Sequence, residues 1–204
     1  MRRLVAFGDS YTAGYGVSIS DKWRGHGRPD DFENFYRRMN SWPRYVAEHF
    51  DIPYVNMGYC DNFGNRDIYN LIVDVFDELH DDDLILIAFS YPYRNETSPI
   101  EDYTLIDSLL SNHNRYYFNA FYPMFRHEII DNIEINNFID IDWSFADYLA
   151  ECENERHDKP SDFLFEYFSK RDITATNDGS QHPSLYGYKK ISEYVINSLT
   201  DKLK

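Results

Sequence analysis

The sequence has few of the residues that define several common classes of protein. Only two cysteines occur, Cys60 and Cys152, which excludes a disulfide framework, and they do not have the spacing of metal ligands. Apolar runs are short: Leu84–Phe89 is typical of the longest, whereas a membrane span needs about 18 apolar residues. The apolar segment Leu4–Phe7 is too short for the core of a secretory signal peptide. These absences predict a cytoplasmic protein with reduced thiols and no membrane segment.

Basic residues are scarce as well. The chain has 20 Lys and Arg against 35 Asp and Glu, a net charge of −15. Such acidity repels phosphate backbones and anionic membranes, so we expect neither nucleic acid nor membrane as a partner, although the basic stretch over 24–44 leaves a local exception open. No Gly-x-Gly-x-x-Gly or Walker motif follows a predicted strand, which disfavours a nucleotide or flavin binder. We therefore expect no cofactor and no metal. Neither the composition nor the motifs of the sequence indicate an oligomeric state.

What the chain does contain is enough apolar material for one core: it has 204 residues, of which 43% are hydrophobic and 18% aromatic. Short apolar runs alternate with segments of helical period. The predicted strands are 4–7, 54–57, 84–89, 116–121 and 138–141. Helices are predicted from Ser41 to about Phe50, over 68–79, and after Pro183. This order predicts an α/β protein, a three-layer α/β/α sandwich with a central parallel five-stranded sheet. We expect a single domain over 1–204, with a longer loop over 17–40 and an uncertain helical region over 142–170.

Residues suited to nucleophilic catalysis follow the first strand and precede the last helix. Ser10 comes directly after the first strand, and ligands of parallel sheets gather at the carboxyl ends of strands. Serine becomes a good nucleophile only when a base accepts its proton. His182 stands on a Gly-containing loop at the entrance of the last helix, and Asp178 lies four residues before it to orient the imidazole. The sequence therefore predicts Ser10 as nucleophile, His182 as base and Asp178 as orienting acid.

These two segments together resemble the SGNH (GDSL) hydrolase family. The resemblance is carried by Gly8–Ser10 near the N-terminus and by Asp178 and His182-Pro183 before a C-terminal helix. Further similar positions are Ser41-Trp42-Pro43, Asn56-Met57-Gly58 and Gly187. The resemblance extends over most of the chain. It implies a flavodoxin-like three-layer fold and the activity of a serine esterase, lipase or carbohydrate acetyl-esterase.

The chain also departs from the family pattern. Three residues separate Asp178 from His182 where the family has two, so either Asp178 completes a triad or a Ser–His dyad operates. The glycine that the family places in the oxyanion hole falls between Asp61 and Gly64 here. The family's asparagine after the third strand is missing, and Ser90 stands in its place. The resemblance thus implies an oxyanion hole formed by Ser10, Gly64 and Ser90.

Two functions remain open from the sequence. The first is a serine hydrolase that cleaves a small ester, preferably an O-acetyl group on a carbohydrate, because no long apolar lid segment suggests a lipid substrate. In that case Trp23, Tyr91 and Tyr93 are candidate platforms for sugar rings. The second is a catalytically weak or inactive binding or structural protein of the same fold, suggested by the missing asparagine and the longer Asp–His spacing. A virion-associated protein is one example, compatible with the Asn-, Asp- and Tyr-rich composition.

Overall fold

The computed structural model describes residues 1–15, 17, 31–59, 63–91, 98–120, 123, 125, 135–152, 182–183 and 185–203. Its four sheet strands are β1 (Leu4–Gly8), β2 (Tyr54–Asn56), β3 (Leu84–Phe89) and β4 (Asn114–Asn119). All pairings are parallel, and the strand order is β2-β1-β3-β4. This is the order found at one end of flavodoxin-like sheets. The predicted α/β class is therefore confirmed.

Helices cover both faces of the sheet. They are α1 (Ser10–Ala13), α2 (Asp31–Met39), α3 (Trp42–Phe50), α4 (Asn65–Val75), α5 (Pro99–Leu109), α6 (Phe145–Cys152) and α7 (Leu185–Thr200). A 3-10 turn, Phe76–Glu78, follows α4. None of the helices in the described ranges is long and apolar enough to cross a membrane.

The alternation of side chains along β1 and β3 divides the core into two layers. Leu4, Leu84 and Leu86 pack with side chains of α3, α6 and α7 on one face of the sheet. Val5 and Ile85 pack with side chains of α4 and α5 on the other face. Every residue of β1 and β3 is buried, which explains why both strands appear in the sequence as continuous apolar runs. The predicted three-layer sandwich follows from this arrangement.

The predicted fifth strand is wrong for the described residues. Phe138 makes only an isolated bridge to Tyr117, and the sheet has four strands rather than five. The reason is local: Asn137 and Asp140 have φ angles of 60° and 54°, and left-handed residues interrupt an extended run. The fourth strand was predicted at 116–121 and is observed two residues earlier, at Asn114–Asn119.

Two expectations about less regular regions also change. The loop predicted over 17–40 contains α2 in its second half, Asp31–Met39, whereas 18–30 lie outside the described residues. The uncertain helical region over 142–170 contains α6, and 153–170 lie outside the described residues. Helix α5 was not predicted. Its start carries a recognisable signal, because the Ser98 side chain accepts from the Glu101 N–H and Pro99 occupies the first turn.

Candidate active site

Ser10 and His182 come together at the carboxyl end of the sheet. Ser10 is the first residue of α1, directly after β1, and His182 precedes α7. His182 Nε2 lies 3.0 Å from Ser10 Oγ, although the two residues are 172 positions apart in the chain. Both residues are half-buried. This distance is within hydrogen-bonding range, so a neutral imidazole in this position is able to accept the serine proton.

The turn that carries Ser10 is held by its neighbours. Asp9 is buried and caps α1, because its Oδ1 accepts the Tyr11 N–H at 3.0 Å. A Cβ atom at Gly8 would lie 2.2 Å from Thr12 Oγ1 and 2.9 Å from the Ala88 carbonyl oxygen. A glycine is therefore required just before the Asp9–Ser10 turn. At the other end of α1, Gly14 adopts a φ of 85°, the left-handed conformation that commonly terminates a helix.

The imidazole of His182 packs against an aromatic ring from the end of this turn. The Tyr15 ring centroid lies 4.6 Å from the His182 ring centroid, at an interplanar angle of 58°. On Tyr15 in turn lies the buried guanidinium of Arg37, 4.5 Å from the ring centroid. The Tyr188 hydroxyl of α7 donates to the Tyr15 carbonyl oxygen at 2.7 Å. This bond ties the helix after His182 to the turn after Ser10.

The structure gives Ser90 a different partner from the one the sequence predicts. Its hydroxyl donates to Asp9 Oδ2 at 2.7 Å, and its N–H donates to Asn65 Oδ1 at 2.8 Å. A hydroxyl has a single proton to donate, and here the carboxylate of Asp9 accepts it. Ser90 thus supports the turn that carries Ser10, and its hydroxyl proton is engaged within the protein.

The backbone of Gly64 is also engaged within the protein. Its N–H donates to Asp67 Oδ2 at 2.8 Å, so the Asp67 side chain satisfies the backbone at the start of α4. An N–H that is donated to a neighbouring carboxylate is not directed at a substrate oxygen. Asp61, the alternative position for this donor, lies outside the described residues.

The pattern Asn56-Met57-Gly58 has a structural reason. The buried Asn56 amide donates to the Thr12 carbonyl oxygen and to Ser41 Oγ, both at 2.8 Å, and it accepts the Gly58 N–H at 2.9 Å. A Cβ atom at Gly58 would lie 2.3 Å from the Ala13 nitrogen. The segment after β2 therefore fixes the position of α1 against α3.

The other predicted site residues fall into two groups. Asp178, Trp23 and Tyr93 lie outside the described residues. Tyr91 follows β3 and is 41% exposed. In the part of the chain that the structure describes, no group of three or more His, Cys, Asp or Glu side chains is arranged to hold a metal ion.

Three residues that the sequence analysis did not select also belong to the neighbourhood of Ser10. Tyr15 contacts His182, as described above, and Asn65 contacts Ser90. Tyr11 follows Ser10 and is fully buried; burial first, then the charges of Asp9 and Asp147, raises its pKa well above the usual value, so its hydroxyl stays protonated. The sequence signal for Asn65 is its position directly after Gly64 at the start of a helix.

The sequence matches no protein-family model and no curated protein sequence. The structure, however, is similar to solved structures. A protein assigned to the lipolytic G-D-S-L family, from Desulfitobacterium hafniense, has a TM-score of 0.56 and 18% identity; the match covers 98% of this chain and 100% of that chain. The psychrotrophic esterase EstA from Pseudoalteromonas sp., inhibited by monoethylphosphonate, has a TM-score of 0.55 and 13% identity, covering 100% and 99%.

A third similar structure is that of a carbohydrate esterase whose active site has divergent catalytic and non-catalytic binding functions. Its TM-score is 0.53 and its identity 14%, and the match covers 98% of this chain and 65% of that chain. At such low sequence identities, the similarity between this structure and the three solved structures shows a shared fold. The chain has the fold of lipolytic G-D-S-L proteins and esterases, which confirms the fold expected from the motifs.

Proposed function

We propose that the protein is a serine esterase that hydrolyses a small ester through an acyl-enzyme. The observation that carries the proposal is the 3.0 Å contact between Ser10 Oγ and His182 Nε2. The contact lies at the carboxyl edge of the parallel sheet, where α/β proteins bind their ligands. The esterase names of proteins with the same fold support this assignment.

In this mechanism Ser10 Oγ attacks the carbonyl carbon of the ester while His182 Nε2 takes the serine proton. The carbonyl oxygen becomes an oxyanion, and the Ser10 N–H is one donor toward it. Collapse of the intermediate breaks the bond to the alcohol, and the imidazolium gives its proton to the departing oxygen. Water then attacks the acyl-enzyme with His182 again as base, which releases the acid and regenerates Ser10. Asp178 is the proposed orienting acid for the imidazole.

For the substrate we propose a small O-acyl group on a carbohydrate. Exposed aromatic side chains follow the carboxyl ends of the two strands that flank β1: Tyr59 after β2 is 51% exposed, and Tyr91 after β3 is 41% exposed. The Tyr59 N–H donates to the Gly8 carbonyl oxygen at 3.0 Å, so its backbone adjoins the turn that carries Ser10. The Phe63 ring supports Tyr59 at a centroid distance of 5.1 Å. Exposed rings beside a nucleophile suit the apolar faces of sugar rings.

The test of the esterase function is hydrolysis of 4-nitrophenyl acetate by the purified protein. Ser10→Ala and His182→Ala should each lower kcat by about 10³-fold or more, because nucleophile and base act as one unit. Ser108→Ala is the matched control, since Ser108 is an exposed serine on α5, and it should keep the wild-type rate.

A second candidate function is a binding protein of the same fold with little or no turnover. The engaged hydrogens of Ser90 and Gly64 favour it, because two of the donors implied for the oxyanion are used within the protein. Equal hydrolysis rates for the wild type and Ser10→Ala would decide for this second candidate and against the esterase.

A further inference from the structure

Asn65 carries a buried amide that is only half satisfied. The residue is 1% exposed and is the first residue of α4. Its Oδ1 accepts the Ser90 N–H at 2.8 Å, whereas its Nδ2 has no hydrogen-bond partner. The orientation of the amide is fixed by this contact, because a backbone N–H requires the oxygen and not the nitrogen to face it. The side chain therefore holds two N–H donors that are buried and unpaired.

Such an arrangement is costly for a purely structural residue. A buried donor without an acceptor costs about 1–3 kcal/mol, and folded proteins keep few of them. A side chain that only had to accept the Ser90 N–H would not need these donors. The unpaired amide is accounted for if its acceptor arrives with a ligand.

Two hydrogen bonds link the amide of Asn65, through Ser90, to Asp9, the residue before the nucleophile. Ser90, which donates its N–H to Asn65, donates its hydroxyl to Asp9 Oδ2 at 2.7 Å, and Asp9 directly precedes Ser10. Gly8 and Ala88 are paired in register, so the segments that follow β1 and β3 are neighbours. Asn65 and Ser10 are both first residues of helices at this edge of the sheet.

The chemistry at Ser10 supplies an acceptor of the required kind. Attack on an ester places a negative charge on the carbonyl oxygen, and donors aimed at this oxygen are a major source of rate enhancement. Ser90 and Gly64 have their hydrogens engaged within the protein, as described above. We infer that the Asn65 amide donates to the oxyanion formed at Ser10 and takes the role that the sequence suggested for Ser90. This inference rests on the proposed esterase function.

Burial of the donor is an advantage for this role. A donor that water does not reach acts in a medium of low dielectric constant and has no hydration to lose when the charge develops.

Two variants separate the donor role of Asn65 from a structural one. Asn65→Asp keeps an oxygen for the Ser90 N–H and removes both N–H donors. Ser90→Ala removes the hydroxyl and keeps the backbone N–H that Asn65 accepts. With 4-nitrophenyl acetate, Asn65→Asp should lower kcat by about 10²–10³-fold with KM changed by less than about 3-fold. Ser90→Ala should lower kcat by less than about 10-fold. Asn65→Ala, assayed well below its Tm, repeats the donor loss without adding a carboxylate.

The outcomes distinguish this inference from the proposed function. Ser10-dependent hydrolysis that survives in Asn65→Asp and Asn65→Ala at near wild-type kcat would overturn the inference alone. A larger loss in Ser90→Ala than in Asn65→Asp would return the donor role to Ser90. Hydrolysis that is the same in the wild type and Ser10→Ala would overturn the esterase function, and the role of Asn65 with it.

Discussion

Replacement of Tyr15 by alanine should slow catalysis by loosening the base. The Tyr15 ring packs on the His182 imidazole at 4.6 Å and is itself covered by the Arg37 guanidinium at 4.5 Å. An aromatic pair of this kind contributes about 0.5–1.5 kcal/mol. If this energy holds the imidazole in its productive orientation, its loss lowers kcat by about 2- to 12-fold. The mutation leaves the Tyr188 bond intact, because that bond ends on the backbone oxygen of Tyr15.

The assay is steady-state hydrolysis of 4-nitrophenyl acetate by the wild type, Tyr15→Ala and Tyr15→Phe. The phenylalanine variant keeps the ring, so it should retain the wild-type kcat. Tyr15→Ala should lower kcat while KM changes little, since the ring acts on the base rather than on the substrate. An unchanged kcat in Tyr15→Ala would refute the positioning role, and so would an equal loss in Tyr15→Phe.

Three further predictions concern the scaffold around the site. Asn56→Ala removes three buried hydrogen bonds, so urea melts should show a loss of about 2–4 kcal/mol in the free energy of unfolding, and a loss below about 1 kcal/mol would contradict this. Gly58→Ala should lower the Tm, because the added Cβ would lie 2.3 Å from the Ala13 nitrogen. An unchanged Tm would contradict this prediction and show that α1 shifts to make room for the methyl group. Burial raises the pKa of Tyr103 from 10.0 to about 12. The folded protein therefore favours the protonated hydroxyl, and this contribution to the free energy of unfolding is present below pH 10 and lost as the pH rises from 10 to 12. Tyr103→Phe should flatten that loss in urea melts across this range, and an equally steep loss would exclude Tyr103 as the cause.

The sheet was predictable where burial is complete. Strands β1 and β3 are covered by helices on both faces, so their sequences are unbroken apolar runs, and the predicted bounds differ from the observed ones by at most one residue. The last helix was equally clear, since its buried residues keep helical spacing.

The missed helices have charged residues where a sequence pattern expects apolar ones. On α5 the fully buried Asp102 lies among the core-facing positions and pairs with Arg66 at 2.7 Å, which interrupts the apolar stripe. On α2 the aromatic residues Phe32 and Phe35 are 67% and 59% exposed, whereas Arg37 is buried. Whether these side chains are buried depends on their contacts with other segments of the fold, and the periodicity of a single sequence does not reveal those contacts.

The candidate site likewise has features that the sequence predicts and features that only the folded structure shows. The approach of Ser10 and His182 was predictable because strand order and motif position bring both to one edge of the sheet. The bond from the Gly64 N–H to Asp67 has a sequence signal, an acidic residue three positions after the N-cap residue of a helix. The bond from Ser90 to Asp9 and the unpaired amide of Asn65 depend on how separate segments meet, and the sequence could not show them.

The central claim is that His182 activates Ser10 as a nucleophile, and the most direct measurement of it is covalent labelling. The protein would be treated with a monoethyl phosphonate carrying a 4-nitrophenyl leaving group, and the modified residue identified by peptide mass spectrometry. The account predicts a phosphonyl group on Ser10 in the wild type and very slow labelling of the same residue in His182→Ala. An unlabelled Ser10, or equal labelling rates in the two proteins, would contradict it.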